Sequence, residues 1–407
     1  MASEPESTRP LRDFATLLRS STVRWVVAEG LIGRLREGGI GLAIVLLVRH
    51  ATGTFGPAGL AVAAFALSTA VTRREHGRFM DAFGVRRVMG LTAAANTVAM
   101  LGLALLSHEP DQSVSLIVMA GLCGLTLPAF TPAIRSFWTT TRKEMARSAL
   151  VVDAFLYELS MTAAPGLVGL VAVVAGPSIA VIVLAALGCA GSTGFALTAG
   201  SCRNGRSFTW RHHPPEHRLA RGIWVLVVLA GVLGGAEGAL TVALPAYAVG
   251  IGGASRAGVL LSAIAAGSLF GGLLYSGLRL RGNVKVELVA SSSVFAAGLV
   301  MLVVLRGGFA LTAILCVIAG LGLAPIVAVI LACVSKLAPA ERATEAFALV
   351  GAAWPLGVGL AEAVVGLLVT SVGVGPGLLV APVCAGAAVV GAVLFRRVLF
   401  DGMGSKT

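Results

Sequence analysis

Apolar stretches of about 20 residues alternate with short polar ones along nearly the whole chain, the spacing of a protein that crosses a bilayer repeatedly. Stretches long enough to span lie near 26–48, 56–75, 87–107, 113–135, 149–174 and 178–199. Six more follow near 222–249, 256–278, 286–305, 309–333, 344–370 and 375–397, so the pattern predicts twelve helices. Most connections are short. One is longer, residues 200–221, with Arg-His-His-Pro-Pro-Glu-His-Arg at its centre. It reads as a solvated linker between two sets of six spans, 26–199 and 222–398, with segments 1–25 and 399–407 outside them.

Composition agrees with the pattern. The 407 residues are 57% hydrophobic and only 12% charged, with a mean hydropathy of +0.92. A soluble chain carries about 25% charge, so a soluble globule is excluded. The net charge of +12 raises nucleic acid as a partner. The basic residues, however, fall in small clusters between apolar runs, which is the dress of membrane loops.

Those clusters order the topology. One set of connections holds Arg73, Arg74, Arg78, Arg86 and Arg87, then Arg142, Lys143 and Arg147, then the linker arginines, then Arg279, Arg281 and Lys285, then Lys336 and Arg342. The alternate set holds only Arg49, Arg256 and Arg306 among basic residues. The excess of positive charge predicts that both termini and the linker face the cytoplasm, in a bacterial cytoplasmic membrane. Leu11, Phe14, Leu17 and Leu18 recur at helical spacing beside Arg9, Arg12 and Arg19, a pattern for a short helix lying on the inner membrane face. Ser3–Arg24 lacks the apolar core of a cleavable signal peptide. The six cysteines are isolated and the six histidines fall at or beyond span ends, so neither a disulfide, nor a metal, nor a cofactor is expected.

Between the second and third spans the chain reads Gly77-Arg-Phe-Met-Asp81-Ala-Phe-Gly84-Val-Arg86-Arg87. Glycines permit a tight reversal, the aspartate can cap or pair, and the arginines hold the loop on the positive side. The pattern Gly-x3-Asp-x2-Gly-x-Arg-Arg resembles the signature loop of the major facilitator superfamily. The resemblance implies an all-α polytopic membrane protein, twelve transmembrane helices in two pseudo-symmetric six-helix bundles. It also implies that the first and seventh helices face a central cavity, and that Asp81 gates the inner side against the eleventh helix. The halves resemble each other as well: Glu37-Gly-Gly matches Glu237-Gly-Ala, Pro57-Ala-Gly matches Arg256-Ala-Gly, and Asp153-Ala-Phe matches Glu345-Ala-Phe. The second-half signature loop, Gly277-Leu-Arg-Leu-Arg281-Gly282, lacks the aspartate.

Charge inside a span is costly, which makes each such residue a candidate for function. The first span carries Glu29, Arg34, Arg36 and Glu37, and too few apolar residues follow to cross without them, so Glu37 is expected near mid-depth. Glu237 matches it in the seventh span. A buried carboxylate that exchanges a proton for substrate is the core of a proton-coupled carrier, with Arg34, one turn from Glu37, as its counter-ion. Glu158, Glu362 and Trp354 are further cavity candidates. Asp153 and Glu345 read as helix-start acids on the dipole, and Trp138, Trp210 and Trp224 as belt anchors. Pro165, Gly166 and Gly169 resemble part of the fifth-helix antiporter motif of bacterial drug:proton exporters, with Ala164 and the late Gly169 departing from it. The fourth-span arginine of that family has its nearest counterpart in Arg135, toward the inner end.

The expectation is a secondary transporter, not an enzyme. No nucleophile or His/Asp cluster marks a membrane face, and no Gly-x4-Gly-Lys-Ser/Thr motif offers ATP as the direct energy source. Proton-coupled export of small apolar or amphipathic compounds leads, ahead of import of a metabolite or a non-transporting receptor or scaffold. The partners expected are the small substrate, protons and lipid, not nucleic acid, with the chain acting as a monomer.

Overall fold

The computed structural model describes residues 20–109, 112–141, 146–200, 219–277, 284–305, 307–338, 343–395 and 398. The amphipathic segment before Ser20, the linker histidines with Trp210 and Cys202, and the C-terminal tail lie outside them. Fourteen helices and no strand make up the described residues. They are α1 (Ser21–Thr52), α2 (Phe55–Phe83), α3 (Val85–Leu106), α4 (Ser113–Thr126) and α5 (Phe130–Thr141). α6 (Ala146–Val174) and α7 (Pro177–Gly200) precede the linker. After it come α8 (Arg221–Ile251), α9 (Ala254–Gly277), α10 (Val284–Val304), α11 (Phe309–Gly320) and α12 (Leu323–Leu337). α13 (Ala343–Ser371) and α14 (Val374–Leu394) complete the chain.

Eleven segments are long and apolar enough to cross a membrane, each within a few residues of a predicted span, so this is a multi-pass membrane protein. The segment missing from that set is the first. Its helix is present and runs 32 residues, but Glu29, Arg34, Arg36 and Glu37 make it too polar to qualify on composition.

Two spans predicted as continuous are broken. α4 stops before Leu127-Pro128-Ala129 and α5 resumes at Phe130. Pro128 has no N–H and disfavours helical geometry in the residue before it, and Leu127 accordingly turns to φ −59°, ψ 117°. α11 and α12 are separated at Leu321-Gly322 without a proline, and both residues keep near-helical angles. The signature loop departs from expectation in the other direction. Gly77 to Phe83 continue α2, and only Gly84, at φ +88°, interrupts the helix before Val85 starts α3.

The contacts of α8–α14 repeat those of α1–α7. α1 packs on α6 and α7 as α8 does on α13 and α14; α2 packs on α4 as α9 does on α11; α3 packs on α4 and α7 as α10 does on α11 and α14. Between the two sets, the extensive contacts are α2 with α13 and α6 with α9. Turns at Gly53, Gly176, Gly252 and Gly373 all take positive φ, and they gather at one end of the molecule. That end is recognisable because Ser107 at the close of α3 meets Ser178 at the start of α7, and Gly56 at the start of α2 lies by Thr370 at the close of α13.

Small residues make these helices pack closely. A Cβ on Gly267 of α9 would strike the carbonyl of Val317 on α11, and one on Gly320 would strike Ile264. In lipid such backbone approach supplies the dispersion contact that holds helices together. Cys123, Cys316 and Cys333 are buried and unpaired, as small packing residues.

Candidate functional site

Glu37 lies sixteen residues after Ser21, where α1 begins, and Glu237 lies sixteen after Arg221, where α8 begins. At ~1.5 Å per residue each carboxylate is about 24 Å from its helix start, near the middle. The matching stretches of sequence therefore put matching acids at matching depths.

Around Glu37, α1, α5 and α6 build a polar knot. The hydroxyl of Thr131, on α5 just past the break, donates to Glu37 Oε2 at 2.9 Å. The Thr131 hydroxyl oxygen in turn accepts from Arg34 Nε at 3.4 Å. Arg34 itself is 1% exposed and does not sit on Glu37. Its Nη2 reaches α6 and meets Asp153 Oδ1 at 2.8 Å, with Nη1 at 3.4 Å from the Asp153 backbone carbonyl. The expected Arg34–Glu37 pairing is thus replaced by a link through Thr131, with Arg34 bound instead to the side chain and backbone carbonyl of Asp153.

Asp153 was expected as a helix-start acid near the surface. It is 3% exposed and seven residues into α6. Besides Arg34 it accepts the Trp138 indole N–H at 3.4 Å and Arg135 Nε at 3.4 Å. Trp138 is therefore an interior hydrogen-bond donor, 2% exposed, and not a belt anchor; Trp224, at 54%, keeps that reading. Tyr157, one turn beyond Asp153, lies between Arg34 and Arg135, whose guanidinium carbons are 5.6 and 5.8 Å from its ring centre.

The second set contributes Glu237, whose Oε2 accepts the indole N–H of Trp354 at 2.5 Å. Glu237 lies within electrostatic reach of Glu158 on α6 and of Glu362 on α13, and Tyr157 feels Glu37, Glu158 and Glu237 together. Glu362 is 2% exposed, and its Oε2 has no hydrogen-bond partner among the described residues; nor has Glu37 Oε1. Three carboxylates from three helices, Glu37, Glu158 and Glu237, thus act on one tyrosine, with Glu362 in reach of Glu237; Arg34 and Arg135 are engaged by Asp153, and Arg73 also acts on Tyr157. The arrangement has room in its charge balance for protons or a cation.

Arg36, next to Glu37, points the other way. It is wholly buried against Gly188 of α7, with Nη2 at 3.3 Å from Ser192 Oγ and its other two nitrogens unmatched among the described residues. Glu29 meets the same helix, accepting from Thr198 at 2.9 Å. These two charges hold α1 to α7, and Arg36 also acts electrostatically on its neighbour Glu37.

The remaining candidates are dispersed. Pro165, Gly166 and Gly169 lie where α6 crosses α9. Arg86 and Arg87 are exposed at the start of α3, Gly77 lies within α2, and the side chains of Asp81 and Glu345 are outside the described residues. His76, expected beyond the membrane end, is buried at the same end of α2, with Nδ1 3.0 Å from the carbonyl that the Pro128 break frees at Leu127. Tyr157 and Thr131 had gone unnoticed as site residues. Tyr157 is one of three tyrosines in the chain and adjoins Glu158, a signal that was available; Thr131 had none.

No protein-family profile matches the sequence, and no curated protein does. Solved structures do match. An auto-inhibited POT family peptide transporter superposes with a TM-score of 0.71 at 12% identity, over 93% of this chain and 96% of that one. The POT family transporter PepTSo gives 0.69 at 12% identity, over 95% and 99%. The nucleoside transporter NupG, solved as a point mutant, gives 0.71 at 14% identity, over 93% and 99%. At such identities the likeness establishes fold. It is the major facilitator fold, the one the signature loop announced.

Proposed function

We propose that the protein is a proton-coupled secondary transporter working by alternating access. α1 and the eleven apolar segments form twelve spans in two six-helix bundles, 26–199 and 222–398, joined by the linker at 200–221. The end bearing Gly53, Gly176, Gly252 and Gly373 is the outer one, and both termini are cytoplasmic. The observation that carries the reading is the pair Glu37 and Glu237, equally deep in corresponding helices, both acting with Glu158 on Tyr157, and with Glu362 in reach of Glu237. A carboxylate there is neutral with a proton and charged without, and binding of substrate to one form only links the two fluxes.

Export of small apolar or amphipathic compounds is the direction proposed. Its support is Pro165, Gly166 and Gly169 at a helix crossing, and walls rich in Ala, Gly and Val that offer few groups for sugar hydroxyls. A second reading, transport of a polar metabolite, draws support from the peptide and nucleoside transporters among the structural neighbours. Asp81 is proposed as a gate residue at the inner side. The test is purified protein in liposomes with an internal pH dye, challenged with lipophilic cations, antibiotics, dipeptides and nucleosides under a proton gradient. Proton movement opposite to the substrate establishes export. Movement with it establishes proton-coupled import of a metabolite, and silence toward every compound removes the proposal of proton coupling.

A further inference from the structure

Two crossings between the halves are one contact made twice. A Cβ on Gly59 of α2 would lie 2.5 Å from the carbonyl oxygen of Glu362 and 2.7 Å from Cα of Gly366, both on α13. A Cβ on Gly258 of α9 would strike the carbonyl of Pro165 and lie 3.0 Å from Cα of Gly169, both on α6. Glu362 and Gly366 follow Pro165 and Gly169 by 197 positions, as Ala343 at the start of α13 follows Ala146 at the start of α6. Gly258 follows Gly59 by 199, as Ala254 at the start of α9 follows Phe55 at the start of α2.

The crossings differ in one respect. Where α6 carries Pro165, α13 carries Glu362, 2% exposed and with Oε2 unpartnered among the described residues. Of the helices packed on α13, α12 carries Lys336 in its last turn, at the end where α13 begins and 19 residues short of Glu362, and the others offer no cation at this depth. α8 presents Glu237, already held by Trp354. α2 presents Phe55, Gly56 and Gly59 and has no charged residue before Arg73; α14 has none from Val374 to Leu394 and presents Cys384. A charge at this position has no counter-ion among the described residues. The crossing as it stands suits the neutral acid.

We propose that Glu362 is a proton-binding site built into the α2–α13 crossing. With the proton bound, Gly59 and Gly366 stay in backbone contact and the outer end is shut. With the proton gone, the carboxylate needs water or a cation, which enter only when α2 and α13 part. The α6–α9 crossing, with Pro165 in the equivalent place, has no such group and follows its twin. The proposal rests on alternating access and assigns the proton within it.

Distances between spin labels on purified protein in lipid nanodiscs, with no substrate present, test this. Labels at the exposed Thr54 and Val372 span the α2–α13 ends, and labels at Val174 and Ser255 span the α6–α9 ends. As pH rises, a longer-distance population should grow at both pairs, by about tenfold per pH unit through the titration of one proton. Glu362→Gln should hold both distances short at every pH. Gly366→Ala, which wedges the crossing by sterics, should hold them long. Distances indifferent to pH, or still responding in Glu362→Gln, would overturn the proposal, as would short distances in Gly366→Ala. Because no substrate is used, a protein that opens with pH yet transports nothing refutes the transporter reading alone. Proton-driven transport that survives Glu362→Gln refutes this proposal alone.

Discussion

Arg34 and Asp153, 119 positions apart, form an ion pair at 2.8 Å with their side chains 1% and 3% exposed. A pair this deep is costly to desolvate, and what it stabilises is geometry: it fixes α1 against α6 and aims Arg34 away from Glu37. Its two members stand in very different relation to each other than to water.

Removing one partner should therefore hurt more than removing both. Asp153→Asn leaves Arg34 charged and unmatched, at an expected loss of about 3–5 kcal/mol. The double substitution Arg34→Met with Asp153→Leu should recover most of it. Thermal melts of the three proteins in detergent check this; a double variant as unstable as the single one would show that the pair itself, not its imbalance, carries the stability.

Glu37→Gln and Glu237→Gln keep size and hydrogen bonding while removing the exchangeable charge. Both variants should melt near wild type and lose substrate-driven proton movement in liposomes. Normal flux with unchanged pH dependence in both would move the coupling role elsewhere in the cluster.

The spans were legible because hydropathy records the bilayer directly, and Glu37 with Glu237 because their flanks repeat. What was not legible depends on partners brought together by packing. Nothing near Arg34 in sequence competes with Glu37, three residues away, yet Asp153 wins it. Trp138 looks like any interfacial tryptophan until Asp153 is beside it. The likeness of Asp153-Ala-Phe to Glu345-Ala-Phe is out of register, since it spaces the helices by 192 positions and their starts by 197. Pro128 could have announced the break in the fourth span, but an apolar run on either side hid it.

His76 lies beyond the apolar part of α2, where burial holds its imidazole below the ordinary value of 6.5. The unfolded chain takes up a proton there before the native one does. Stability from this residue is full above about pH 6.5 and falls as pH drops toward the native value. His76→Phe should flatten that acid limb of the melting curve and also cost about 1–3 kcal/mol at neutral pH, because the Leu127 carbonyl loses its donor. An acid limb identical to wild type would exclude His76 as its source.

Glycines differ in what they tolerate. A Cβ on Gly234 of α8 would strike the carbonyl of Trp354, whereas one on Gly386 of α14 would meet nothing within 4 Å. Gly234→Ala should cost about 1–3 kcal/mol and shift the Trp354 indole off Glu237, visible as a change in tryptophan fluorescence. Gly386→Ala should be neutral or stabilise by up to about 1 kcal/mol. Equal melting temperatures for the two would contradict the close packing of α8 on α13.

The polarity of α1 bears on how the protein is made. Four of its charges, Glu29, Arg34, Arg36 and Glu37, lie inside the helix, and at up to about 3 kcal/mol each near a bilayer centre they make it a poor candidate to enter lipid alone. Each long-range partner that quiets them is synthesised later: Thr131 is 94 residues beyond Glu37, Asp153 119 beyond Arg34, Ser192 156 beyond Arg36 and Thr198 169 beyond Glu29. The full set of partners for the helix that carries the central carboxylate is complete only once five more spans have been made. Biogenesis of the first half is consequently a concerted event, and a ribosome stalled before α7 leaves α1 with nowhere stable to go.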